Sequence, residues 1–401
     1  MAEDLGVAFD IDYLGMTPYG VMPAAPAASP KFRLHLLPCR SPLSLSPGRA
    51  NLDAHLARLR PAAVLVSGPP AMVDFTLRCL QPHRPATRVI LYMPIEGELA
   101  APGVLSTIAL ADACILYTEH ARKNVRALHA HAPVRDPPIR LPPLFVLGHG
   151  VDCAAFAPLG GSVDGHFGDA GRAAARALLF PDNAALRRGF IVLNANRAYY
   201  RKRLDLTIEG FARFAPGKPD AFLYLHVPGI DPAERKSLDA AAAATGIAQR
   251  VLINAVNPDG AALSRQTLNL LYNACDVGLT TAMGEGWGLG SFEHAATGAP
   301  QVVPDHTAFA ENWRDAALLV PITGRQFVFY EFADMFEVSP DGVAQALEAL
   351  HGDAEYRRRM AHAAYARANE PRYRWPNLAR RLGDFLDGII AAEPPRDLFS
   401  P

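Results

Sequence analysis

The chain has 401 residues, half of which are hydrophobic, and its formal net charge is −1. A chain of this length usually folds into two or three domains with sizeable cores, and the near-neutral charge argues against a general nucleic-acid binder, whose domains carry a strong basic excess. No run of eighteen apolar residues and no basic-then-apolar leader occurs, so we expect neither a transmembrane segment nor a signal peptide.

Strand and helix patterns alternate along the first part of the chain, which is typical of a parallel α/β sheet. Strands are predicted near residues 6–11, 32–37, 62–67, 88–93, 113–117 and 144–148, and helices near 72–80 and 121–130. The loop after the first strand contains Gly15, which would let a ligand approach the backbone closely. A Pro/Ala-rich stretch follows at 23–30, so we expect the helix there to be short or absent.

Two polar residues follow later strands of this half. Glu96 lies in the loop after the strand near 88–93, and His149 follows the strand near 144–148. Because parallel α/β sheets bind ligands at the carboxyl ends of their strands, both residues are candidates for a ligand-facing position. An exposed loop glutamate and a purely structural histidine are the alternatives.

The second half repeats the alternation after a Pro/Gly-rich stretch at about 133–168. Strands are predicted near 191–194, 222–226, 251–254, 277–280, 301–303 and 318–320, and the final helices near 357–368 and 376–391. The five cysteines are scattered, odd in number and without a C-x-x-C pair. That pattern indicates reduced thiols in a cytoplasmic protein.

A basic segment follows the strand near 191–194. It contains Arg197, Arg201, Lys202 and Arg203, and an amphipathic helix comes next. Four cations at the carboxyl end of a strand favour an anion-binding site. The alternative is an ordinary solvated basic loop.

The most informative segment runs from residue 284 to 300. Four glycines make a regular helix across its first part unfavourable, and Gly298 and Pro300 end a helix predicted over residues 289–297. Glu285 therefore lies on a strand-to-helix loop and Glu293 in the helix. The N–H groups of such a helix start attract phosphate, and each carboxylate can accept two neighbouring hydroxyls. A nucleotide sugar, a diphosphate between two sets of hydroxyls, has the matching chemistry.

This segment resembles the Glu-x7-Glu motif of retaining GT-B glycosyltransferases, the glycogen-synthase-like and sucrose-synthase-like group (family 4, group 1). The spacing from Arg197 to Lys202 is similar to the Arg-x4-Lys pair that neutralises the donor diphosphate in that group. The resemblance implies two Rossmann-like parallel-sheet domains facing a cleft. It implies an acceptor-side domain over 1–155, a nucleotide-sugar-binding domain over 156–370, and a carboxyl-terminal helix over 371–401 that crosses back to the first domain.

The resemblance also implies residue roles. Glu285, Arg197 and Lys202 would be catalytic, and Glu293 would bind the donor ribose. The loop that would hold the donor comprises Gly286, Trp287, Gly288, Leu289 and Gly290. Gly15, Glu96 and His149 would lie on the acceptor or cleft side.

The resulting hypothesis is a hexosyltransferase of glycan biosynthesis that uses a UDP- or GDP-sugar and retains the anomeric configuration. Its acceptor would be a glycan, a lipid-linked molecule or a small metabolite, and no cofactor would be required. Asp10 and Asp12 have the D-x-D spacing with which another glycosyltransferase fold holds Mg²⁺, but on a strand they merely share a face, so we predict no metal. A catalytically inert partner subunit and a nucleotide-sugar epimerase on the same fold are the alternatives. A Rossmann oxidoreductase is disfavoured because the first loop lacks G-x-G-x-x-G.

Overall fold

The computed structural model describes residues 5, 9–17, 33–38, 49–84, 86–133, 137–163, 166–167 and 169–391. These residues form two compact units. The first contains the chain up to Gly150, the short segment Val328–Ala333 and the described residues from Trp375 onward. The second contains Val151–Phe327 and Asp334–Arg374. The division into an acceptor-side and a donor-binding domain stays a prediction.

The first unit is built on parallel strands. Strand β1 (Asp12–Thr17) pairs with β2 (Arg33–Pro38), and a four-stranded sheet has the order β3 (Ala63–Ser67), β4 (Arg88–Met93), β6 (Ala113–Leu116), β7 (Leu144–Val146). A two-residue strand β5 (Glu98–Leu99) lies between β4 and β6 in the chain. The helices of this part are α1 (Arg49–Leu59), α2 (Pro70–Leu80), α3 (Gly103–Ile108) and α4 (Glu119–His131).

Every residue of β4 and β6 is buried, which explains why both segments are continuous apolar runs in the sequence. Their side chains pack against the inner faces of α2, α3 and α4 in one core. The first strand was predicted near 6–11, of which residues 6–8 lie outside the described residues, and β1 begins at Asp12. The Phe9 amide donates to the Leu5 carbonyl at 3.0 Å, a helical spacing.

The second unit starts with an antiparallel pair, β8 (Ser162–Val163) and β9 (His166–Phe167), and two helices, α5 (Asp169–Leu179) and α6 (Ala184–Arg188). Its sheet contains β10 (Phe190–Ala195), β11 (Ala221–His226), β12 (Val251–Ile253), β13 (Val277–Leu279), β14 (Gln301–Pro304) and β15 (Leu318–Val320). The strands are parallel and their order is β12-β11-β10-β13-β14-β15. The chain therefore winds outward in both directions from β10 and β13.

Helices cover the faces of this sheet. They are α7 (Leu204–Phe214), α8 (Pro232–Ala244), α9 (Arg265–Ala274), α10 (Leu289–Ala296), α11 (Thr307–Trp313), α12 (Pro340–Gly352) and α13 (Ala354–Ala368). The predicted amphipathic helix is confirmed as α7, whose face of Leu204, Ile208, Phe211 and Phe214 is buried in the main core. A final helix, α14 (Trp375–Ala391), groups with the first unit.

Strands β16 (Ile322–Val328) and β17 (Ala333–Val338) are neighbours in a small sheet that the sequence analysis did not predict. Their connection ends at Phe332, which has a φ of +55°. Because the left-handed residue of this turn is a phenylalanine, the sequence lacks the Gly, Asn or Pro that usually marks a turn. The pair of strands was therefore not predicted.

None of the helices in the described part combines the length and hydrophobicity needed to cross a membrane. Cys79, Cys114, Cys153 and Cys275 keep their thiols and form no disulfide within the residues listed above. Cys39 and the Pro/Ala-rich stretch at 23–30 lie outside the described residues.

Candidate functional site

The sheet of the second unit has its switch point between β10 and β13, where the chain reverses its direction of winding. In doubly wound sheets the crevice at the carboxyl ends of two such strands is where ligands bind. The loop after β10 carries the predicted basic segment, and the loop after β13 carries the predicted glycine-rich segment. The structure therefore brings the two sequence signals to one edge.

The basic loop turns sharply before α7. A short 3-10 turn, Tyr200–Lys202, is followed by Arg203, which has a φ of +45° and a ψ of +51°. This left-handed residue reverses the chain. The side chains of Arg201 and Lys202 are only 14% and 13% exposed, whereas Arg197 is exposed. Two of the predicted cations are thus built into the edge, and Arg197 lies at its surface.

Main-chain and hydroxyl hydrogen bonds fasten the two loops together. The Met283 amide donates to the Arg201 carbonyl at 2.7 Å. The Thr281 hydroxyl lies 2.7 Å from the Arg203 carbonyl, to which it can donate, and 2.6 Å from the Thr207 hydroxyl. Thr207 in turn accepts from the Asn194 amide at 2.8 Å. These residues are buried, so the positions of the cations are fixed by a satisfied polar network.

Glu285 is held by the two inward cations. Its carboxylate forms an ion pair with the Lys202 ammonium and lies 3.6 Å from Arg201 Nη1. Burial acts to raise the pKa of Glu285, but the charges of Lys202 and Arg201 outweigh it, and the pKa lies below its usual value. Arg201 also donates to the Gly284 carbonyl at 3.0 Å. The site therefore contains an ionised carboxylate and two cations that are largely screened from solvent.

Gly288 forms the turn into α10. Its φ is +94°, and a Cβ there would lie 2.6 Å from the Phe309 ring. Both the backbone conformation and the space require glycine. Two residues later, a Cβ on Gly290 would lie 3.4 Å from the Ala195 carbonyl, so the first turn of α10 stands beside the end of β10. Helix N–H groups thus lie at the edge that carries the cations.

Glu293 lies on α10 and accepts a hydrogen bond from the Tyr272 hydroxyl at 3.1 Å. Burial raises the pKa of Glu293, and the bond from Tyr272 opposes the shift. The Tyr272 ring stacks on His294 with centroids 5.1 Å apart. The Nε2–H of His294 donates to the Tyr272 carbonyl at 3.1 Å, and burial lowers the pKa of His294 to about 3, so this histidine is neutral.

Trp287 was predicted among the donor-contacting residues, but its indole is 5% exposed and lies in an aromatic cluster. It stacks on Phe292 with centroids 5.2 Å apart and meets Tyr373 edge-on at 5.6 Å. The Trp287 carbonyl accepts from the Asn312 side chain at 3.2 Å. The side chain packs the interior, which leaves the backbone of residues 286–290 as the part that faces the edge.

The acceptor-side candidates lie in the first unit. Gly15 is within β1, opposite Leu36 of β2. Glu96 is half-buried after β4, and His149 is half-buried after β7. The Tyr92 hydroxyl donates to the Gly148 carbonyl at 3.0 Å and lies 3.1 Å from His149 Nδ1.

Several residues at the carboxyl ends of the two sheets carry no signal in the sequence. Tyr272 lies on α9, far along the chain from Glu293, and no spacing links the two. Arg201 was recognised only as part of the basic cluster, since its contact with Glu285 depends on the left-handed turn at Arg203. Tyr92 and Tyr117 sit inside or just after apolar strands, where tyrosine is common. Within the described residues, no group of three or more His, Cys, Asp or Glu is arranged to hold a metal ion.

Solved structures with the same fold include enzymes and complexes from several bacteria. The sucrose-phosphate synthase of Thermosynechococcus elongatus matches 98% of this chain and 92% of its own, with a TM-score of 0.75 and 17% identity. HepE of Anabaena in complex with UDP and glucose matches 89% and 86%, with a TM-score of 0.63 and 14% identity. A trehalose-phosphate synthase of Burkholderia xenovorans in complex with glucose 6-phosphate matches 85% and 77%, with a TM-score of 0.62 and 16% identity.

These likenesses establish the GT-B fold, with its mixed α/β architecture and parallel sheets. No curated protein matches the chain by sequence. A family profile described as "Family 4 Glycosyltransferase in conflict systems" matches residues 176–382, which is just over half of the chain and includes Arg197, Lys202, Glu285 and Glu293. The chain therefore belongs to this family of glycosyltransferases.

Proposed function

We propose that this glycosyltransferase moves a hexose from a UDP- or GDP-sugar to a hydroxyl acceptor and retains the anomeric configuration. The observation that carries the proposal is the contact of Glu285 with Lys202 and Arg201 at the switch point of the second sheet. A carboxylate can accept hydrogen bonds from sugar hydroxyls while the buried cations beside it bind a diphosphate. The complex of HepE with UDP and glucose, on the same fold, is consistent with this choice of donor.

The donor diphosphate would lie between the basic loop and the start of α10. Lys202 and Arg197 supply positive charge, and the N–H groups at the beginning of α10 supply hydrogen-bond donors that favour an anion. The glycines at 286, 288 and 290 leave the backbone accessible at this point. Glu293, fixed by Tyr272, would accept the ribose hydroxyls.

Glu285 would accept hydroxyls of the transferred hexose. Lys202 forms an ion pair with Glu285, and a bound donor would share the ammonium between the carboxylate and the diphosphate. As the anomeric C–O bond breaks, negative charge builds on the leaving diphosphate. Lys202 and the helix N–H groups would oppose that charge from fixed positions, Arg197 would add its charge from the surface, and each preorganised donor contributes a few kcal/mol.

Retention requires the acceptor hydroxyl to attack from the face that the diphosphate leaves. The proton of that hydroxyl can then pass to the departing phosphate oxygen, so no separate protein base is needed on the opposite face. The cationic loop and the helix start already compensate the diphosphate charge, and we propose that neither a metal nor another cofactor is required. NMR analysis of the product anomer tests this point, and an inverted product would discard the retaining mechanism.

The alternatives keep the fold and change the outcome. An epimerase would alter the sugar of the donor without transfer, and an inert partner subunit would bind nothing or bind without turnover. The presence of both glutamates together with Arg197 and Lys202 favours a working enzyme. We also propose a cytoplasmic location, on the strength of the scattered cysteines, which form no disulfide in the described part of the chain.

A thermal-shift panel of nucleotide sugars is the direct test. A ligand at 100 times its dissociation constant adds about 2.7 kcal/mol to the free energy of unfolding. We expect one UDP- or GDP-sugar to stabilise the protein and Lys202→Ala to remove that effect. Lys218→Ala is the matched control, because Lys218 is also largely buried and ion-paired, with Glu348, away from the site. Equal stabilisation of all three proteins would show that the donor binds elsewhere.

A further inference from the structure

Strands β16 and β17 form a strand pair that starts at the carboxyl edge of the second sheet. β15 ends at Val320 and β16 begins at Ile322, so only Pro321 separates them. Residues 322–327 and 334–338 of the pair belong to the second unit. The strands of the sheet are parallel and end at one edge, so the pair begins at the edge that carries the basic loop and the glycine-rich loop. Its residues are therefore candidates for contact with both loops.

A main-chain hydrogen bond joins the strand pair to the loop after β13. The Phe336 amide donates to the Met283 carbonyl at 2.8 Å, and the Met283 amide donates in turn to the Arg201 carbonyl. The Phe336 ring also packs near His306, with centroids 5.3 Å apart. Consecutive main-chain bonds thus connect the strand pair, the loop after β13 and the basic loop.

Glu337 of β17 joins the strand pair to the basic loop directly. Nη1 of Arg203 donates to the Glu337 carboxylate, 134 positions away in the chain. Asp205 accepts from Nε of the same guanidinium at 3.0 Å and from Nη2 at 2.8 Å. A guanidinium is planar and its donors form a rigid fork, so the two carboxylates together fix its orientation.

Gly324 of β16 leaves the space in which Glu337 reaches Arg203. A Cβ on Gly324 would lie 3.1 Å from Glu337 Oε2 and 3.3 Å from Glu337 Cβ. The Glu337 side chain therefore lies against the backbone of the neighbouring strand. A glycine inside a strand usually weakens it and often marks a close approach of another group. Here the group that approaches is the Glu337 carboxylate.

Arg203 sets the course of the basic loop. Its φ of +45° lies in the left-handed region, which is unfavourable for a residue with a side chain and persists where the surrounding structure holds it. Lys202 directly precedes it and forms the ion pair with Glu285. A change in the Arg203 backbone would therefore move the Lys202 ammonium.

The ion pair of Arg203 with Glu337 is partly exposed. The two side chains are 21% and 37% exposed, and surface ion pairs contribute little to the free energy of unfolding. Its loss should therefore alter the local geometry of the basic loop more than the overall stability of the protein.

We infer that Glu337 is a positioning residue of the donor site: by holding Arg203, it fixes the turn that presents the Lys202 ammonium to the donor diphosphate. Glu337 acts through Arg203 and not by contact with the donor. The strand pair is then a third support of the site, beside the loops after β10 and β13. The inference rests on the proposed function, because it presupposes that Lys202 binds the diphosphate.

Titration calorimetry with UDP and GDP, in a double-mutant cycle of Glu337→Gln and Lys202→Ala, tests the inference. Glu337→Gln keeps the shape of the side chain and removes its charge. Loss of a negative charge would by itself strengthen the binding of an anion, whereas a displaced ammonium weakens it. We expect the Kd of the nucleotide that binds to rise about fivefold in Glu337→Gln, and to change by less than about twofold when the same substitution is made in Lys202→Ala.

Two results of the cycle would overturn the inference. A fivefold rise of the Kd in both backgrounds would mean that Glu337 acts independently of Lys202, as it would through a general loosening of the edge. A Kd that falls or stays the same in Glu337→Gln alone would mean that the carboxylate does not hold the ammonium in place.

Asp334→Asn is the matched control. Asp334 lies on the same strand as Glu337 and is also ion-paired, but its partner Arg325 belongs to the strand pair itself. We expect this variant to leave the Kd unchanged or slightly lower. Equal weakening in Asp334→Asn and Glu337→Gln would overturn the inference, because loss of either ion pair of the strand pair would then have the same effect. Thermal unfolding midpoints within about 4 °C of the parent protein show that the variants are folded.

The dependence on Lys202 separates this test from that of the proposed function. Loss of nucleotide binding in Lys202→Ala together with an unchanged Kd in Glu337→Gln would overturn only the positioning role of Glu337. Nucleotide binding that does not depend on Lys202, or binding of neither UDP nor GDP, would overturn the proposed function itself.

Discussion

The two sheets present opposite chemistry at equivalent edges. In the second unit the loops after β10 and β13 hold Arg201 and Lys202 around Glu285, and Arg197 lies at the surface. In the first unit the described loops after β3, β4 and β6 contain no lysine or arginine; Glu96 and Tyr117 lie in them, and the neutral His149 follows β7. The same strand-loop-helix geometry thus carries buried cations around a carboxylate in one place, and a packed histidine and tyrosine in the other. The two edges differ in their side chains and not in their topology.

The polar residues are also supported differently. The cations of the second edge are held by main-chain bonds and by the buried Asn194, Thr207 and Thr281. His149 of the first edge packs against the Tyr117 ring and hydrogen-bonds with the Tyr92 hydroxyl. Loss of a cation should therefore remove charge and activity with little change of the backbone. Loss of the Tyr92 hydroxyl should instead leave the His149 ring less firmly oriented.

The largest expected effect is that of Lys202→Ala on turnover. Removal of one preorganised group that opposes leaving-group charge reduces kcat by about a hundred- to a thousandfold. Arg201 still faces Glu285 at 3.6 Å, so the carboxylate keeps a cationic partner and the fold should survive. The measurement is donor turnover at saturating acceptor. Turnover within a factor of three of the parent protein would mean that Lys202 does not face the diphosphate.

Gly288→Ala should destabilise the second edge. Alanine at a φ of +94° is strained, and its Cβ would lie 2.6 Å from the Phe309 ring. Together the two effects should lower the free energy of unfolding by about 3 kcal/mol. Gly246→Ala separates them, since Gly246 has a φ of +75° and an added Cβ would meet no atom of the described residues within 4 Å. That variant should cost about 1 kcal/mol. Urea denaturation of both variants gives the difference, and equal costs would show that Phe309 moves aside freely.

Much of the carboxyl edge of the second sheet could be predicted from the sequence, because its signals are local. Glycines, a helix end at Gly298 and a run of cations are read within short segments, and they identified both loops. The contact of Arg201 with Glu285 and that of Tyr272 with Glu293 join residues far apart in the chain, so only the fold reveals them. The packing of the Trp287 ring against Phe292 and Tyr373 is likewise visible only in the fold, and the predicted place of this residue in the donor loop stays a prediction for its backbone.

The first unit was harder to predict for a physical reason. Its strands were located with small errors, apart from β1, because their apolar runs are clear. Its polar cluster draws on the ends of separate strands, and Tyr92 and Tyr117 carry the same signal as ordinary strand residues. Glu96 and His149 were candidates, but the hydrogen bond that sets the tautomer of His149 has no sequence signature.

A smaller effect is expected at Glu293. Burial raises the pKa of this carboxyl, and the Tyr272 hydroxyl partly opposes the shift. The ionised form accepts the ribose hydroxyls in our proposal, so donor affinity should fall as the pH drops through the pKa of Glu293. Tyr272→Phe removes the opposing bond, raises the pKa further, and should move this loss of affinity to higher pH. Glu293→Ala should weaken donor binding about tenfold, or 1.4 kcal/mol, and abolish the pH dependence. Titration calorimetry with the donor over pH 4 to 8 measures both, and an unchanged midpoint in Tyr272→Phe would separate Glu293 from donor binding.

The smallest effect is predicted for Tyr92→Phe, which changes only the hydrogen bond that orients the His149 ring. The ring stays, so the packing against Tyr117 and His149 is kept, but Gly148 and His149 Nδ1 lose their common partner. The net cost to the free energy of unfolding should be about 1 kcal/mol. Without the tyrosine oxygen, Nδ1–H of His149 loses its acceptor, and the imidazole can take either tautomer. Nitrogen-15 NMR of His149 should then show a mixture in place of the single Nδ1–H form, and the KM for the acceptor should rise a few-fold while donor binding stays unchanged. A single unaltered tautomer with an unaltered KM would mean that packing alone orients His149, and the contrast between the two edges would then rest on charge only.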